Sequence, residues 1–262
     1  MTETPPPVRL ERRGRAAWLT LDRPEAANAL NRPTLDLLRS HLAALREDDA
    51  TWVVVFTGAG DKAFCAGADL KERRGFTEEQ VADFVRTIRA TMDDVAALPQ
   101  PTVAALNGVA FGGGMELALA CDLRVADPRA RMGLTETSLG IIPGAGGCVR
   151  LPRLVGLARA KELILLARRL DAEEALGLGL LHRLSAPGDV VDAAEEMVEE
   201  LLRNAPLALR AAKAAVDGSL DLPLAEALEL EAACYARIVP TEDRLEALAA
   251  FAEKRPPRFR GR

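Results

Sequence analysis

Short, almost wholly apolar runs separated by longer helical patterns are the feature that most constrains the fold of this chain. Residues 52–56, 101–106 and 123–126 are three such runs, rich in Val, Ala and Leu. Strands of this composition are covered on both faces, which is typical of a parallel sheet. Residues 33–49, before the first run, and residues 78–98, between the first and the second, carry apolar side chains at helical spacing. The alternation predicts an α/β core with a largely parallel sheet.

The pattern changes after about residue 155, where we expect no further strands. Alanine-rich helical segments follow at residues 157–167, 172–176, 190–204, 207–219, 223–238 and 242–254. This change predicts an α/β core followed by a helical C-terminal part. We divide the chain into a core over residues 1–200 and a helical C-terminal region over residues 201–262.

Composition narrows the classes of partner. The 262-residue chain carries a net charge of −5, and an acidic chain is a poor binder of polyanions, so we expect no nucleic-acid partner. No apolar run is suited to span a membrane, and the Pro- and Arg-rich start does not resemble a secretory signal. We therefore expect a cytoplasmic protein with no membrane partner. Four scattered cysteines without a C-x-x-C pair, and two unpaired histidines, give no support for a metal site.

Two glycine-bearing loops could bring backbone N–H groups together. They read F-C-A-G-A-D at residues 64–69 and G-G-G-M-E at residues 112–116. Glycine lets a backbone come close to a ligand, and two converging N–H groups form an oxyanion hole. For either loop taken alone, a simple turn is the favoured interpretation. The rival motifs of dinucleotide sites, P-loops and serine hydrolases are absent.

Two glutamates are candidate acid–base groups. Glu116 interrupts the apolar start of a predicted helix, where its surroundings favour a buried carboxylate with a raised pKa. Glu136 lies in G-L-T-E-T-S-L-G. Their local sequences favour a structural role for each slightly more than a catalytic one, and only a wider pattern changes that balance.

That wider pattern covers nearly the whole chain. The motifs F-C-A-G-A-D-L-K-E, A-L-N-G-V-A-F-G-G-G-M-E-L-A-L-A-C-D and L-T-E-T-S-L-G-I-I-P-G-A-G-G resemble those of the crotonase (enoyl-CoA hydratase/isomerase) superfamily. The stretches L-A-L-A-C-D-L-R-V-A at residues 117–126 and E-A-A-C-Y-A at residues 231–236 resemble the methylglutaconyl-CoA hydratases, one of which also binds AU-rich RNA. The resemblance implies a crotonase-like ββα spiral core with a helical C-terminal trimerisation region.

The resemblance also implies residue roles. Ala66 and Gly113 would donate their N–H groups to the thioester oxygen, and Glu116 and Glu136 would serve as the acid–base pair. Gly144 would help to hold the attacking water, and Lys254 would approach the coenzyme A of a neighbouring subunit in a homotrimer or a dimer of trimers. The full set of implied substrate-binding residues is Ala26, Gly67, Ala68, Asp69, Gly144 and Lys254.

The function implied is hydration of a short-chain 2-enoyl-CoA thioester, a lyase reaction of fatty acid metabolism that needs no metal or cofactor beyond the coenzyme A of the substrate. Alternatives on the same scaffold are an enoyl-CoA isomerase, a thioester hydrolase and a methylglutaconyl-CoA hydratase. The last would need a cation for its second carboxylate, for which Lys71, Arg73 and Arg74 are candidates. An RNA-binding protein and an inactive homologue are disfavoured. One departure from the family pattern is G-G-C-V-R at residues 146–150, where G-G-T-Q-R is usual.

Overall fold

Two sheets form the centre of the molecule in a computed structural model, which describes residues 5–262. In this part of the chain the strands are β1 (Val8–Arg13), β2 (Ala16–Leu21), β3 (Val53–Gly58), β4 (Ala63–Cys65), β5 (Thr102–Leu106), β6 (Val109–Phe111), β7 (Leu123–Ala126), β8 (Arg131–Gly133), β9 (Leu170–Asp171) and β10 (Arg183–Leu184). The helices are α1 (Arg32–Arg46), α2 (Leu70–Arg73), α3 (Glu78–Ala96), α4 (Gly113–Ala120), α5 (Gly147–Val155), α6 (Leu157–Leu165), α7 (Ala172–Gly177), α8 (Val190–Leu202), α9 (Pro206–Ser219), α10 (Leu224–Ile238) and α11 (Glu242–Glu253).

The larger sheet has six strands in the order β1-β2-β3-β5-β7-β10. Only β1 is antiparallel to its neighbour, and the other pairs are parallel. The smaller sheet has the order β4-β6-β8-β9 and is parallel except for β9. Strands β4, β6 and β8 of the smaller sheet directly follow β3, β5 and β7 of the larger one, so the chain steps repeatedly from one sheet to the other.

Alternation along β3 divides the core between the two faces of the larger sheet. Val53 and Val55 pack with Trp18 against α8, whereas Val54 and Phe56 belong to the main core beneath α1, α3 and α4. Successive side chains of a strand point to opposite faces, so a strand covered on both sides must be apolar at every position. This explains the uninterrupted apolar runs.

The α/β core and the helical C-terminal region predicted from the sequence are both present. The expectation that strands end near residue 155 is wrong, because β9 and β10 follow and extend the edges of the two sheets. Each has only two residues, too few to show a period of two. Strand β6 lies directly before the glycine-bearing loop at residues 112–116. The division at residue 200 stays a prediction. Among residues 5–262, no helix combines the length and the apolar composition that crossing a bilayer requires.

Two buried asparagines fix the connection between β3 and β4. Asn107 accepts a hydrogen bond from Gly58 N at 3.1 Å and donates to Gly60 O and Ala63 O. Asn28 donates to Ala63 O at 2.7 Å from the other side. These amides satisfy backbone groups in the connection and at the first residue of β4. The chain therefore enters the loop after β4 in a defined position.

We predict that Asn107→Ala lowers the free energy of unfolding by at least about 2 kcal/mol, because it leaves buried backbone groups without partners. Urea unfolding of both proteins measures the change. Asn204→Ala is the matched control, since that exposed amide donates only to Glu200 O, and its effect should stay within about 0.5 kcal/mol. Equal stability of the Asn107 and Asn204 variants would contradict this role.

Candidate active site

Glu116 lies in the first turn of α4 with its side chain buried, only 3% exposed. Its Oε1 atom accepts hydrogen bonds from Ala145 N at 2.7 Å and Gly147 N at 2.9 Å. Ala145 lies in the turn that leads into α5 and Gly147 is the first residue of α5, so the carboxylate links two segments distant in sequence. Its Oε2 atom accepts no hydrogen bond from residues 5–262 and is available to a small ligand.

The surroundings of Glu116 act on its pKa in opposite directions. Burial raises the pKa, whereas the hydrogen bonds from Gly147 and Ala145 and the charge of Arg150 lower it, and the net direction is upward. Arg150 is fixed by hydrogen bonds to Ala145 O and to Asp93. The groups that oppose burial all favour the ionised form.

Glu136 begins the short 3-10 turn Glu136–Leu139 and is also buried, at 8% exposure. Its Oε2 atom has no hydrogen-bond partner within the described residues. Burial, followed by the nearby charge of Glu116, raises its pKa to about 7. The two carboxyl groups are thus close enough to interact, yet only Glu116 accepts hydrogen bonds from another segment of the chain. Such a difference in environment separates an acid from a base.

The loop after β4 crosses the start of α4 beside these carboxylates. Gly67 has a φ of +96°, and a Cβ built there would lie 3.2 Å from Gly113 N. A Cβ built on Gly113 would lie 3.6 Å from Ala68 N. Neither Ala68 N nor Gly113 N donates a hydrogen bond within residues 5–262. Two free N–H groups therefore come together where only glycine permits the approach.

Glu136 is next to this pair of donors. Gly112 has a φ of +52°, and a Cβ built on it would lie 3.2 Å from Glu136 Oε1. Gly112 directly precedes Gly113, so the Glu136 carboxyl group and the Gly113 N–H border one space. This space can hold a polar group that develops negative charge, with an acid–base group at its side.

Ala66 does not contribute to this space. Its N–H donates to Ala27 O at 3.0 Å, which corrects the donor role assigned to it from the sequence. In an extended chain, N–H groups two residues apart point to the same side, but the positive φ of Gly67 bends the chain between Ala66 and Ala68. The sequence could show that a donor lies in this loop, but not which residue provides it.

Asp69 has a different role from the one expected. Its Oδ1 atom caps α2 by accepting from Lys71 N and Glu72 N, and its Oδ2 atom accepts from Arg23 at 2.9 Å. Both oxygens are engaged inside the protein, so Asp69 positions Ala68 instead of facing a ligand. Ala26 lies in the 3-10 turn Pro24–Ala26. The contact between Ala27 O and Ala66 N brings this turn beside the loop.

Gly144 precedes the residue that binds Glu116, and its N–H donates to no atom of the described chain. A Cβ at this position would lie 2.8 Å from Val85 Cγ1, so α3 packs directly against this turn. Lys254 lies far along the chain, exposed at the end of α11. Its contact with a neighbouring subunit stays a prediction. In the described part of the chain, no cluster of three or more His, Cys, Asp and Glu side chains is arranged to bind a metal ion.

Comparisons with known proteins match this architecture. The sequence model of the family described as Enoyl-CoA hydratase/isomerase matches residues 11–262. The mitochondrial enoyl-CoA hydratase domain-containing protein 2 of Homo sapiens is 48% identical over 248 residues, covering 93% of this chain and 85% of that protein. The mitochondrial methylglutaconyl-CoA hydratase of Homo sapiens is 45% identical over 247 residues, covering 93% and 73% respectively.

Among solved structures, an enoyl-CoA hydratase from Bacillus anthracis superposes with a TM-score of 0.96 at 46% sequence identity. The superposition covers 98% of this chain and 100% of the Bacillus anthracis chain. The similarity therefore includes both sheets and the C-terminal helices.

The raised pKa of Glu136 has a consequence for stability. Between the ordinary carboxyl range and about 7, the folded protein holds a proton that the unfolded chain has lost, so stability falls as pH rises through this window. Glu136→Gln cannot ionise. We predict that the variant is more stable than the parent by on the order of 2 kcal/mol near pH 8, with little difference near pH 4.

Urea unfolding at both pH values measures this effect. Glu199→Gln provides the matched control, because Glu199 is exposed on α8 and should show no comparable pH-dependent gain. A Glu136 variant that gains nothing between the two pH values would show that this carboxyl group titrates normally.

Proposed function

The chain belongs to the enoyl-CoA hydratase/isomerase family, and we propose that it adds water across the double bond of 2-enoyl-CoA thioesters. The family match confirms the resemblance stated from the motifs and the crotonase-like α/β fold. The single observation that carries the proposal is the pairing of two buried, unequal carboxyl groups with two free backbone N–H groups. This combination suits a substrate that gains negative charge on its thioester oxygen while water adds at Cβ and a proton adds at Cα.

The N–H groups of Ala68 and Gly113 are the proposed oxyanion donors. When water attacks Cβ of an enoyl thioester, charge develops on the thioester oxygen, and fixed donors in a site shielded from water stabilise that charge. Each such donor contributes about 3 kcal/mol of transition-state stabilisation in enzymes where it has been removed. Ala68, with Gly113, thus takes the role that the sequence assigned to Ala66.

Glu116 is the proposed base and Glu136 the proposed acid. Backbone N–H groups and Arg150 favour an ionised Glu116, which can take a proton from water at its free Oε2. The oxygen of that water bonds to Cβ, and the electron pair of the double bond moves toward the thioester. Glu136, whose pKa is near 7, then delivers a proton to Cα. Gly144 N–H is a further candidate to hold the water.

Two reactions on the same scaffold are less well supported. An isomerase needs one group to carry a proton between carbons, and a thioester hydrolase needs a water directed at the carbonyl carbon. A second carboxyl group that interacts with the first is best explained by hydration, which moves two protons at once. Identification of a 3-hydroxyacyl-CoA product, as opposed to a shifted double bond or free coenzyme A, separates the three.

A methylglutaconyl-CoA hydratase is the second candidate, because a relative with that name is 45% identical. In the described chain, none of Lys71, Arg73 and Arg74 forms an ion pair, so α2 could offer a cation to a second carboxylate. A higher kcat/KM for methylglutaconyl-CoA than for crotonyl-CoA, lost in Arg73→Ala, would favour this candidate.

We further propose a homotrimer or a dimer of trimers, with coenzyme A bound as part of the substrate and no separate cofactor. Helices α10 and α11 expose large apolar side chains that one subunit leaves uncovered, namely Leu224, Leu228, Tyr235, Val239, Leu245, Leu248 and Phe251. Surfaces of this kind mark protein contacts. Light scattering should therefore give a mass of three or six chains, and a monomeric mass would contradict the proposal.

We predict that Glu116→Gln and Glu136→Gln each lower kcat for crotonyl-CoA hydration by at least about a hundredfold, the scale of losing a general acid or base. Affinity for a saturated acyl-CoA should change far less, because neither side chain is needed to hold coenzyme A. The expected result is a large loss of kcat for hydration together with retained binding of acyl-CoA. Glu199→Gln should leave both quantities unchanged, and a catalytic-site variant with near-normal kcat would remove that residue from the mechanism.

A further inference from the structure

A cavity of about 1180 Å³ lies between α3, the end of α4, α5 and α9. It is separate from the space bordered by Ala68 and Gly113 but shares the turn before α5 with the carboxylate site. Pockets of roughly 300–1,000 Å³ suffice for drug-sized ligands. The volume is therefore far larger than the acyl part of crotonyl-CoA needs.

The cavity reaches the turn that binds Glu116, while the side chains of Glu116 and Glu136 lie outside its lining. Gly144 and Gly146 line it, and they flank Ala145, whose N–H binds Glu116. Cys148 also lines it, one residue after Gly147, the second donor to Glu116. Burial and the charges of Glu116 and Glu136 raise the pKa of the Cys148 thiol. One wall of the cavity is thus within electrostatic reach of both carboxyl groups.

Large apolar side chains converge on the cavity. Ile142, Val149, Leu154, Val216 and Leu220 all line it and are all exposed in the single chain. They come from three separate segments, the turn before α5, α5 itself and α9. Apolar side chains gathered around a concave space, and left unfilled by the chain, fit a hydrocarbon occupant.

Ion pairs involve most of the charged side chains that line the cavity, while within residues 5–262 Asp217 lines it without an ion pair and Arg124 donates to backbone carbonyls. Lys213 pairs with Asp122 at 2.7 Å, Arg150 with Asp93 at 2.8 Å, and Arg153 with Asp221 at 3.0 Å. A charged occupant would have to compete with these pairs. The wall therefore favours an uncharged chain over one that ends in a carboxylate.

We infer that this cavity receives the acyl tail of the substrate beyond the double bond, so that medium- and long-chain 2-enoyl-CoA thioesters are preferred to crotonyl-CoA. This inference rests on the proposed hydratase function and departs from the short-chain expectation drawn from the sequence. Each methylene moved from water into the cavity is expected to tighten binding up to about fourfold.

The first test is a chain-length series. For the parent protein, we expect kcat/KM for 2-octenoyl-CoA and 2-dodecenoyl-CoA to exceed that for crotonyl-CoA by at least about tenfold, from burial of the added methylenes. Val216→Trp and Leu220→Trp place a bulky ring in the cavity. Each should lower kcat/KM for the longer substrates at least about tenfold more than for crotonyl-CoA. Leu165→Trp, at an exposed apolar position on α6 outside the cavity, is the matched control and should keep the parent ratio.

The second test needs no turnover. Cys148 is exposed, whereas the other three cysteines are buried, so N-ethylmaleimide should label it selectively. Saturated decanoyl-CoA should slow this labelling and acetyl-CoA should not, because only the longer tail reaches past the thiol. Cys148→Ser identifies the labelled site by mass spectrometry.

The outcomes separate this inference from the proposed function. Absence of hydration with every substrate would overturn the function, while protection of Cys148 by decanoyl-CoA would still support an acyl-tail site. Equal kcat/KM across chain lengths, together with labelling that decanoyl-CoA does not slow, would overturn the inference alone. A Val216→Trp variant could have a lower oligomeric mass in light scattering and still keep the parent ratio of kcat/KM values for long and short substrates. This result would overturn the inference, because it would show that a second copy of the chain covers this wall.

Discussion

The hydrogen bonds from Ala145 and Gly147 to the Glu116 carboxylate are the interaction on which the rest of the site depends. An ionised carboxylate removed from water is destabilised by several kcal/mol unless fixed donors replace the solvent. Here the donors are in the turn before α5 and at the first residue of α5, so the chemistry of Glu116 and the folding of α5 against α4 depend on each other. Burial raises the pKa of Glu136 to about 7, and a charge held at Glu116 contributes to this shift. The interaction at Glu116 therefore sets the architecture of the site and contributes to the different protonation of its two carboxyl groups.

The oxyanion donors depend on a separate set of constraints. Asn28 and Asn107 bind the backbone between β3 and β4, and Asp69 caps the helix that follows. Between these fixed points, Gly67 bends the chain until Ala68 N lies beside Gly113 N. None of the three polar side chains needs to touch a substrate. Their effect is to keep two N–H groups free of protein acceptors and rigidly placed, which is what electrostatic preorganisation requires.

The sequence predicted those elements whose burial produces a recognisable pattern of apolar residues. Strands β3, β5 and β7 are apolar at nearly every position because helices cover both faces, and α1 and α3 show clear helical spacing. Strands β9 and β10 have two residues each and no detectable period, so they could not be found this way. Glu116 and Glu136 are twenty positions apart, and no local pattern pairs them, so the motif resemblance was needed to bring them together. The choice between Ala66 and Ala68 depended on the φ of Gly67, which residue type alone does not give.

The central claim is that this site directs a water molecule to Cβ of an enoyl thioester. Incubation of crotonyl-CoA in water enriched in ¹⁸O, followed by mass spectrometry of the products, tests it most directly. The account predicts intact 3-hydroxybutyryl-CoA that has gained one labelled water, with the ¹⁸O at C3. Free coenzyme A with ¹⁸O in the released acid, or a product with a moved double bond and no label, would contradict it.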